Sequence, residues 1–198
     1  MVLESVVAND MKNRKTRKRD WKTVRQLYGS SFPADEKVPF FFLKRKVMKN
    51  KRLPITVQPS AECLVAKDRD KTVGFVYTVC YEDLAYLLYL AVAKKDRGEG
   101  YGSRILSCMK ERYAGKRIFL ARERLEEQCN NMKQRVKRRH FYLKNGFEDL
   151  PCLIQEGPVV YDVMGTGGPV SASDYDALMT NWAGKLVKKV VYFSMTEK

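Results

Sequence analysis

Histidine is almost absent from this 198-residue chain, which has only His140. A Ser/His/Asp triad or a histidine-rich metal centre would rest on that single imidazole, so no metal is expected. The five cysteines, Cys63, Cys80, Cys108, Cys129 and Cys152, are odd in number and never form a CxxC pair. That pattern argues against a disulfide frame or zinc knuckle and suits small buried side chains in a reducing compartment. Long apolar runs are also missing. The most apolar stretch, 84–93, falls well short of the roughly 20 residues of a membrane span, and the first residues show no basic leader with an apolar core. A soluble, cytoplasmic protein without membrane association is expected. With no internal repeat and no low-complexity linker, the length suits one domain over 1–198.

What the chain does have is positive charge: 38 Lys and Arg against 23 Asp and Glu, a formal net of +15. A hydrophobic fraction of 44% with 11% aromatic residues still supports a packed core, which excludes a disordered basic tail. The charge falls in separate clusters at 12–19, 44–52, 94–97, 133–139 and 185–189. Such an excess steers toward phosphates, whether of nucleic acid, an anionic lipid surface or a phosphorylated cofactor. A solvated face is the plainer account of any one cluster.

Hydrophobic periodicity orders the rest. Val2, Leu3, Val6 and Val7 suggest a short first strand or a loose arm. Asp20 offers an N-cap to a helix over 21–30, and 40–49 is a second, Phe-rich helix. Two β-like runs, 61–67 and 72–81, are separated by Asp68-Arg69-Asp70-Lys71, with Asp where a tight turn wants it, a hairpin signal. The run 84–93 reads as a central strand covered on both faces. A helix follows from Tyr101 to a stop at Gly115, then a strand at 117–121 and a long basic helix over 124–144 ended by Gly146. Strands at 147–155 and 159–164, a helix capped by Ser173 and a β-rich tail at 190–193 complete the chain.

The most informative segment is 88–103, which runs from a buried strand through Arg97, Gly98, Glu99, Gly100, Tyr101 and Gly102 into a helix. Glycines let successive backbone N–H groups converge on an anion, and the helix N-terminus adds partial positive charge there. A Rossmann fingerprint starting at Gly98 would need glycine where Ser103 stands, and a Walker A loop needs an absent GK[ST]. What remains is the pattern R/Q-x-x-G-x-G/A at Arg97, Gly100 and Gly102. Together with the Tyr-Leu-Ala-Val strand before it and the segment His-Phe-Tyr-Leu-Lys-Asn-Gly-Phe at 140–147, it resembles the GNAT superfamily of acetyl-CoA-dependent N-acetyltransferases over residues 19–165.

The resemblance implies an α/β (α+β) fold: a mixed, mostly antiparallel sheet flanked by helices, here with an extra C-terminal helix in a 170–198 extension packed on the core. It implies acetyl-CoA as acyl donor. Leu90, Ala91 and Val92 would hold the pantetheine arm through backbone atoms, and Arg97, Gly98, Glu99, Gly100, Tyr101, Gly102 and Ser103 the pyrophosphate. Tyr142 takes the place of the phenol that protonates the departing thiolate, though core packing is the competing role. Glu123 is the first candidate to accept the amine proton and Glu82 the second, and a backbone N–H near Val92 would meet the oxyanion. Arg135 and Arg138 stand where the family often has Asn and a small residue, and arginines there could reach phosphates of coenzyme A.

The implied activity is acetyl transfer to a primary amine, on a small molecule or a protein, by direct attack in a ternary complex. One alternative is a basic nucleic-acid or ribosome-associated binding module on an acetyltransferase-like scaffold; another is an acyltransferase using a longer acyl-CoA. Monomer and homodimer both fit the sequence.

Overall fold

The computed structural model describes residues 1–5, 14–49, 60–69, 71–125, 129–185 and 192–198. Strand β1 (Val2–Ser5) is followed by helices α1 (Arg14–Ser31) and α2 (Phe40–Lys49). Strands β2 (Ala61–Asp68), β3 (Lys71–Tyr81) and β4 (Leu84–Val92) come next, then helix α3 (Tyr101–Arg112). Strand β5 (Arg117–Glu123), helix α4 (Met132–Lys144), strands β6 (Glu148–Glu156) and β7 (Val159–Thr166), helix α5 (Ala172–Ala183) and strand β8 (Phe193–Glu197) complete it. The strands form one eight-stranded sheet in the order β1-β2-β3-β4-β5-β7-β6-β8. Every neighbouring pair is antiparallel except β4 and β5. Among the described residues no helix is long and apolar enough to cross a membrane.

Two cores sandwich the sheet. Trp21, Val24 and Tyr28 of α1, Leu43 and Val47 of α2, and Tyr175, Leu178 and Trp182 of α5 pack on one face. Ile105, Leu106 and Met109 of α3 and Tyr142 of α4 pack on the other. That double cover explains why β4 reads as an unbroken apolar run. Its inward pattern changes parity partway: Tyr86 faces the α1 side, and so does Tyr89 three residues later. Pairing explains the change, because Tyr77 opposes Tyr89 while Thr78 opposes Leu87, leaving Leu88 as a bulged residue.

Several boundaries differ from the sequence reading. Helix α1 starts before Asp20, whose side chain is buried and lies 3.6 Å from Lys67 Nζ; the residue is a mid-helix charge partner, not a cap. The basic helix expected over 124–144 begins at Met132; Arg124 and Leu125 are not helical, and 126–128 lie outside the described residues. Strand β5 instead runs on to Glu123, because Arg122 and Glu123 stay paired with Asp162 and Tyr161 of β7. The cap of α5 is Ser171, not Ser173: Ser171 Oγ accepts from Asp174 N–H at 3.1 Å while the Asp174 carboxylate accepts from Ser171 N–H at 3.0 Å. The C-terminal strand lies at Phe193–Glu197 on the edge beside β6. Val6, Val7, the outer parts of the basic clusters at 12–13 and 50–52, residues 186–189, and the tail at 190–191 fall outside the described residues.

Candidate active site

The single parallel pair in the sheet creates the site. Leu84, Ala85 and Tyr86 of β4 pair with Arg117, Ile118 and Phe119 of β5, and the pairing then stops. The joined end is locked by Arg117, which donates to Asp83 at 2.7 and 3.0 Å and to Asp174 at 2.7 Å. Tyr86 stacks on Phe119 just beyond, with ring centroids 4.7 Å apart. Past that stack the strands part around a cleft of about 860 Å³.

One half of this cleft is made of backbone. Ala93 N–H donates to Val73 O on β3 at 2.8 Å, so by strand alternation the N–H and C=O groups of Leu90 and Val92 point away from β3, toward the gap. Ala91 belongs to the β3 ladder. Gly98 and Gly100 adopt positive φ, 90° and 76°, and a side chain at either would meet nothing within 4 Å. Helix α3 starts at Gly100 with no side-chain cap, and its first intrahelical bond, from Arg104 N–H to Gly100 O, leaves the preceding N–H groups of the first turn open. Gly102 lets the Phe141 ring approach: a Cβ there would sit 3.0 Å from it.

These features fit a phosphorylated ligand: convergent N–H donors with no cap of their own, beside Arg97, Lys137 and Arg138 in the cleft wall. Arg97 Nε also donates to Val92 O at 3.2 Å, tying the loop to the strand. Tyr101 donates to Asp68 at 2.6 Å, which holds that carboxyl below its usual range.

The other half is made of side chains from distant segments. Glu36, between α1 and α2, Glu123 at the end of β5 and Glu156 at the end of β6 all line the cleft. Burial pushes the Glu36 carboxyl up to about 7, with Glu123 adding to the shift. Its loop is pinned by the Tyr89 hydroxyl, which donates to Glu36 O at 2.9 Å and accepts from Val38 N–H at 3.1 Å. Glu123 is ion-paired with Arg138 of α4. Glu156 accepts from the Tyr86 and Tyr175 hydroxyls at 2.8 and 3.0 Å, and burial raises its carboxyl above the normal range.

Tyr142 neighbours both halves. Its ring packs between Phe141 and Phe147, it lines the cleft, and it feels the charges of Arg138 and Glu123. Burial raises its pKa, so the phenol stays protonated and is a donor.

Of the residues singled out in the sequence, Leu90, Ala91, Val92, Arg97, Gly98, Gly100, Tyr101, Gly102, Ser103, Glu123 and Tyr142 line this one cleft. Glu99 is exposed and does not. Glu82 sits in the β3–β4 turn at the joined end of β4, where its carbonyl accepts from Lys116. Arg135 is engaged by Asn131 at 2.8 Å and Arg124 O at 2.6 Å, while Arg138 does reach the cleft. Glu156, Gln134 and Lys137 were not singled out, and Glu36 was noted only with Asp35 as an acidic pair that could line a cleft. Of these, Lys137 carried a signal as part of the basic cluster at 133–139.

Residues 59–149 match the family model of the acetyltransferase (GNAT) domain. No curated protein matches the chain at the sequence level. Among solved structures, a GNAT-family protein of Bacteroides thetaiotaomicron is 18% identical with a TM-score of 0.66, covering 94% of this chain and 98% of its own. An aminoglycoside 6'-N-acetyltransferase bound to coenzyme A is 15% identical with a TM-score of 0.55, over 86% and 99%. The ribosomal-protein-S18-alanine N-acetyltransferase of Escherichia coli is 13% identical with a TM-score of 0.56, over 86% and 95%. The chain thus has the fold of GNAT acetyltransferases, and the segment that matches the GNAT acetyltransferase domain spans its glycine loop.

Proposed function

We propose that the chain transfers the acetyl group of acetyl-CoA to a cationic primary amine by direct attack in a ternary complex. The observation that carries this reading is the division of one cleft into an anion-binding backbone half and a carboxylate half, with the Tyr142 phenol beside both. Aminoglycoside and ribosomal-protein N-acetyltransferases share the fold, and an amine acceptor suits the three glutamates.

The donor supplies an acetyl thioester. Leu90 and Val92 hold its arm by backbone bonds as an added strand would, and Arg97, Gly98, Gly100, Tyr101, Gly102 and Ser103 surround its pyrophosphate. An alkyl ammonium of pKa near 10.4 is neutral about once in 2,500 molecules at pH 7, so a proton acceptor is needed. Glu123 and Glu36 form the accepting carboxylate pair. Glu123 is ion-paired with Arg138 and adds to the upward shift of Glu36. Glu36, pushed up to about 7, has the higher proton affinity of a base poised near neutral pH. The Tyr142 hydroxyl donates its proton to the departing sulfur. A backbone N–H of the Leu90–Val92 edge meets the carbonyl oxygen as it gains charge.

The decisive experiment measures thermal stability with acetyl-CoA, then acetyl transfer across a panel of amines, with longer acyl-CoAs in parallel. Ligand at a hundredfold over Kd contributes about 2.7 kcal/mol, a rise of roughly 5–10 °C for a domain of this size. No shift with acetyl-CoA and no transfer to any amine would overturn the reading.

A further inference from the structure

Two basic clusters that acetyl transfer does not use come together on one surface. Arg17, Trp21 and Arg25 of α1 recur every four residues, as do Lys18 and Lys22, so they share one stripe of the helix. On α2, Phe41, Lys44 and Met48 share another. The two stripes line a groove of about 900 Å³ that has no lining residue in common with the acetyl-transfer cleft.

Its composition is one-sided: five cations and no carboxylate line it. Several cations elsewhere in the molecule are ion-paired internally, as with Arg112 on Glu62, Arg117 on Asp83 and Asp174, and Arg122 on Asp149 and Asp162. Among the described residues none of Arg17, Lys18, Lys22, Arg25 and Lys44 is ion-paired. Like charges around one concavity repel one another, so the arrangement favours a ligand that carries several negative charges in a row.

Aromatic rings sit among those charges. Phe41 is 73% exposed at the groove, and Lys44 Nζ lies 5.7 Å from the centroid of the Trp21 ring. An exposed aromatic ring among cations offers a flat face on which a base can stack. A row of phosphates with flat bases satisfies the cations and the ring together.

We propose that the α1–α2 groove binds single-stranded nucleic acid, with backbone phosphates on its five cations and a base stacked on Phe41. A bilayer is met by apolar residues that project beyond a ring of cations; here the cations line the hollow itself. The ten-residue helix α2 is about 15 Å long, which suits a few nucleotides of a flexible strand better than a rigid duplex.

The test titrates a fluorescent twelve-nucleotide oligo-U against the 198-residue chain from 50 to 200 mM salt. Five phosphate contacts to a single strand predict a log–log salt slope of about −3.5, an affinity loss of about a hundredfold across that range. Replacing two cations, Arg17→Gln with Arg25→Gln, should reduce the slope to about −2.1. A Phe41→Ala variant should bind about tenfold more weakly with the slope unchanged, since stacking releases no counterions. Lys133→Gln with Lys144→Gln removes the same charge outside the groove and should leave binding within about twofold; circular dichroism and acetyl-CoA stabilisation confirm that each variant is folded. Equal weakening by both double variants would mean that net charge alone binds the strand and would overturn the proposal. So would displacement of the oligonucleotide by acetyl-CoA, or binding to phosphatidylserine vesicles with none to oligo-U at 50 mM salt.

Discussion

The two halves of the cleft are built on opposite plans. The half assigned to the donor is almost all backbone and lies within one continuous stretch, 90–103; the carboxylate half draws Glu36, Glu123 and Glu156 from three segments far apart in the chain. The difference teaches what each plan can vary. A thioester of fixed structure can be held by N–H groups whose positions depend on fold and glycine, whereas an acceptor is chosen by side chains that can change without disturbing the strand. The plans also differ in electrostatics: open N–H groups with Arg97 and Lys137 on one side, clustered carboxylates on the other.

The strongest challenge to that division is Glu36→Gln. Because the folded pKa is raised, wild-type Glu36 is mostly protonated below pH 7, so kcat/KM should climb with pH and level off above about 7. The variant should lose about a hundredfold or more in turnover at pH 8, and the climb with it, while acetyl-CoA binding stays unchanged. The same shift has a stability consequence. A carboxyl whose folded pKa lies above the unfolded one favours the folded state most below about 4.5, and that contribution is lost as pH rises through about 7. Thermal unfolding of the variant should accordingly lack this decline.

Tyr142→Phe comes next. A thiolate with pKa near about 8.5 leaves moderately well unaided, so turnover should fall roughly thirtyfold, short of abolition, with acetyl-CoA affinity intact. Steady-state kinetics beside calorimetric binding separates the two; unchanged turnover would return Tyr142 to a packing role.

Gly100→Ala probes the backbone half. At φ 76° an alanine is strained by about 1–2 kcal/mol, which disfavours the loop conformation that opens its N–H groups. Acetyl-CoA affinity should weaken about tenfold, with little change in turnover at saturation or in acceptor KM. If acceptor KM moved as much as donor affinity, the halves would not be independent.

The smallest effect is expected from Tyr175→Phe, which removes one of the two phenols on Glu156. A single hydrogen bond contributes about 1 kcal/mol, so acceptor KM should rise by about fivefold without altering donor affinity. That result would bring α5, outside the matched family segment, into acceptor recognition.

Legibility in the sequence followed the same division. Residues 88–103 could be interpreted because strand, glycine turn and helix follow one another without a break, and the donor half asks only for backbone at those positions. Tyr142 was visible through its neighbours Phe141 and Phe147. Glu123 was visible only as a carboxylate close after a strand; its pairing with Arg138, fifteen residues on, depends on α4 crossing β5. Glu36 was visible only as one of two adjacent carboxylates, with Asp35, that could line a cleft. Its burial, and therefore its proton affinity, depends on the Tyr89 hydroxyl fastening the loop from fifty-three residues away. Asp20 misled for a related reason: a capping residue caps only when no helix precedes it, and here Lys67 of β2 provides the partner that lets it lie inside α1.

The sequence alone determined local order. Apolar alternation defined the strands, the spacing of Trp21, Val24 and Tyr28 defined α1, and glycines at 98, 100 and 102 defined a loop open to an anion, because these depend on steric rules that act over a few residues. Tertiary structure alone decided which charges meet. The parting of β4 and β5 beyond Tyr86 places Glu36, Glu123 and Glu156 around one cleft, and the packing of α1 against α2 turns two separate runs of lysine and arginine into one groove. Electrostatic interaction acts through space over several ångströms, and it is the fold that sets those distances.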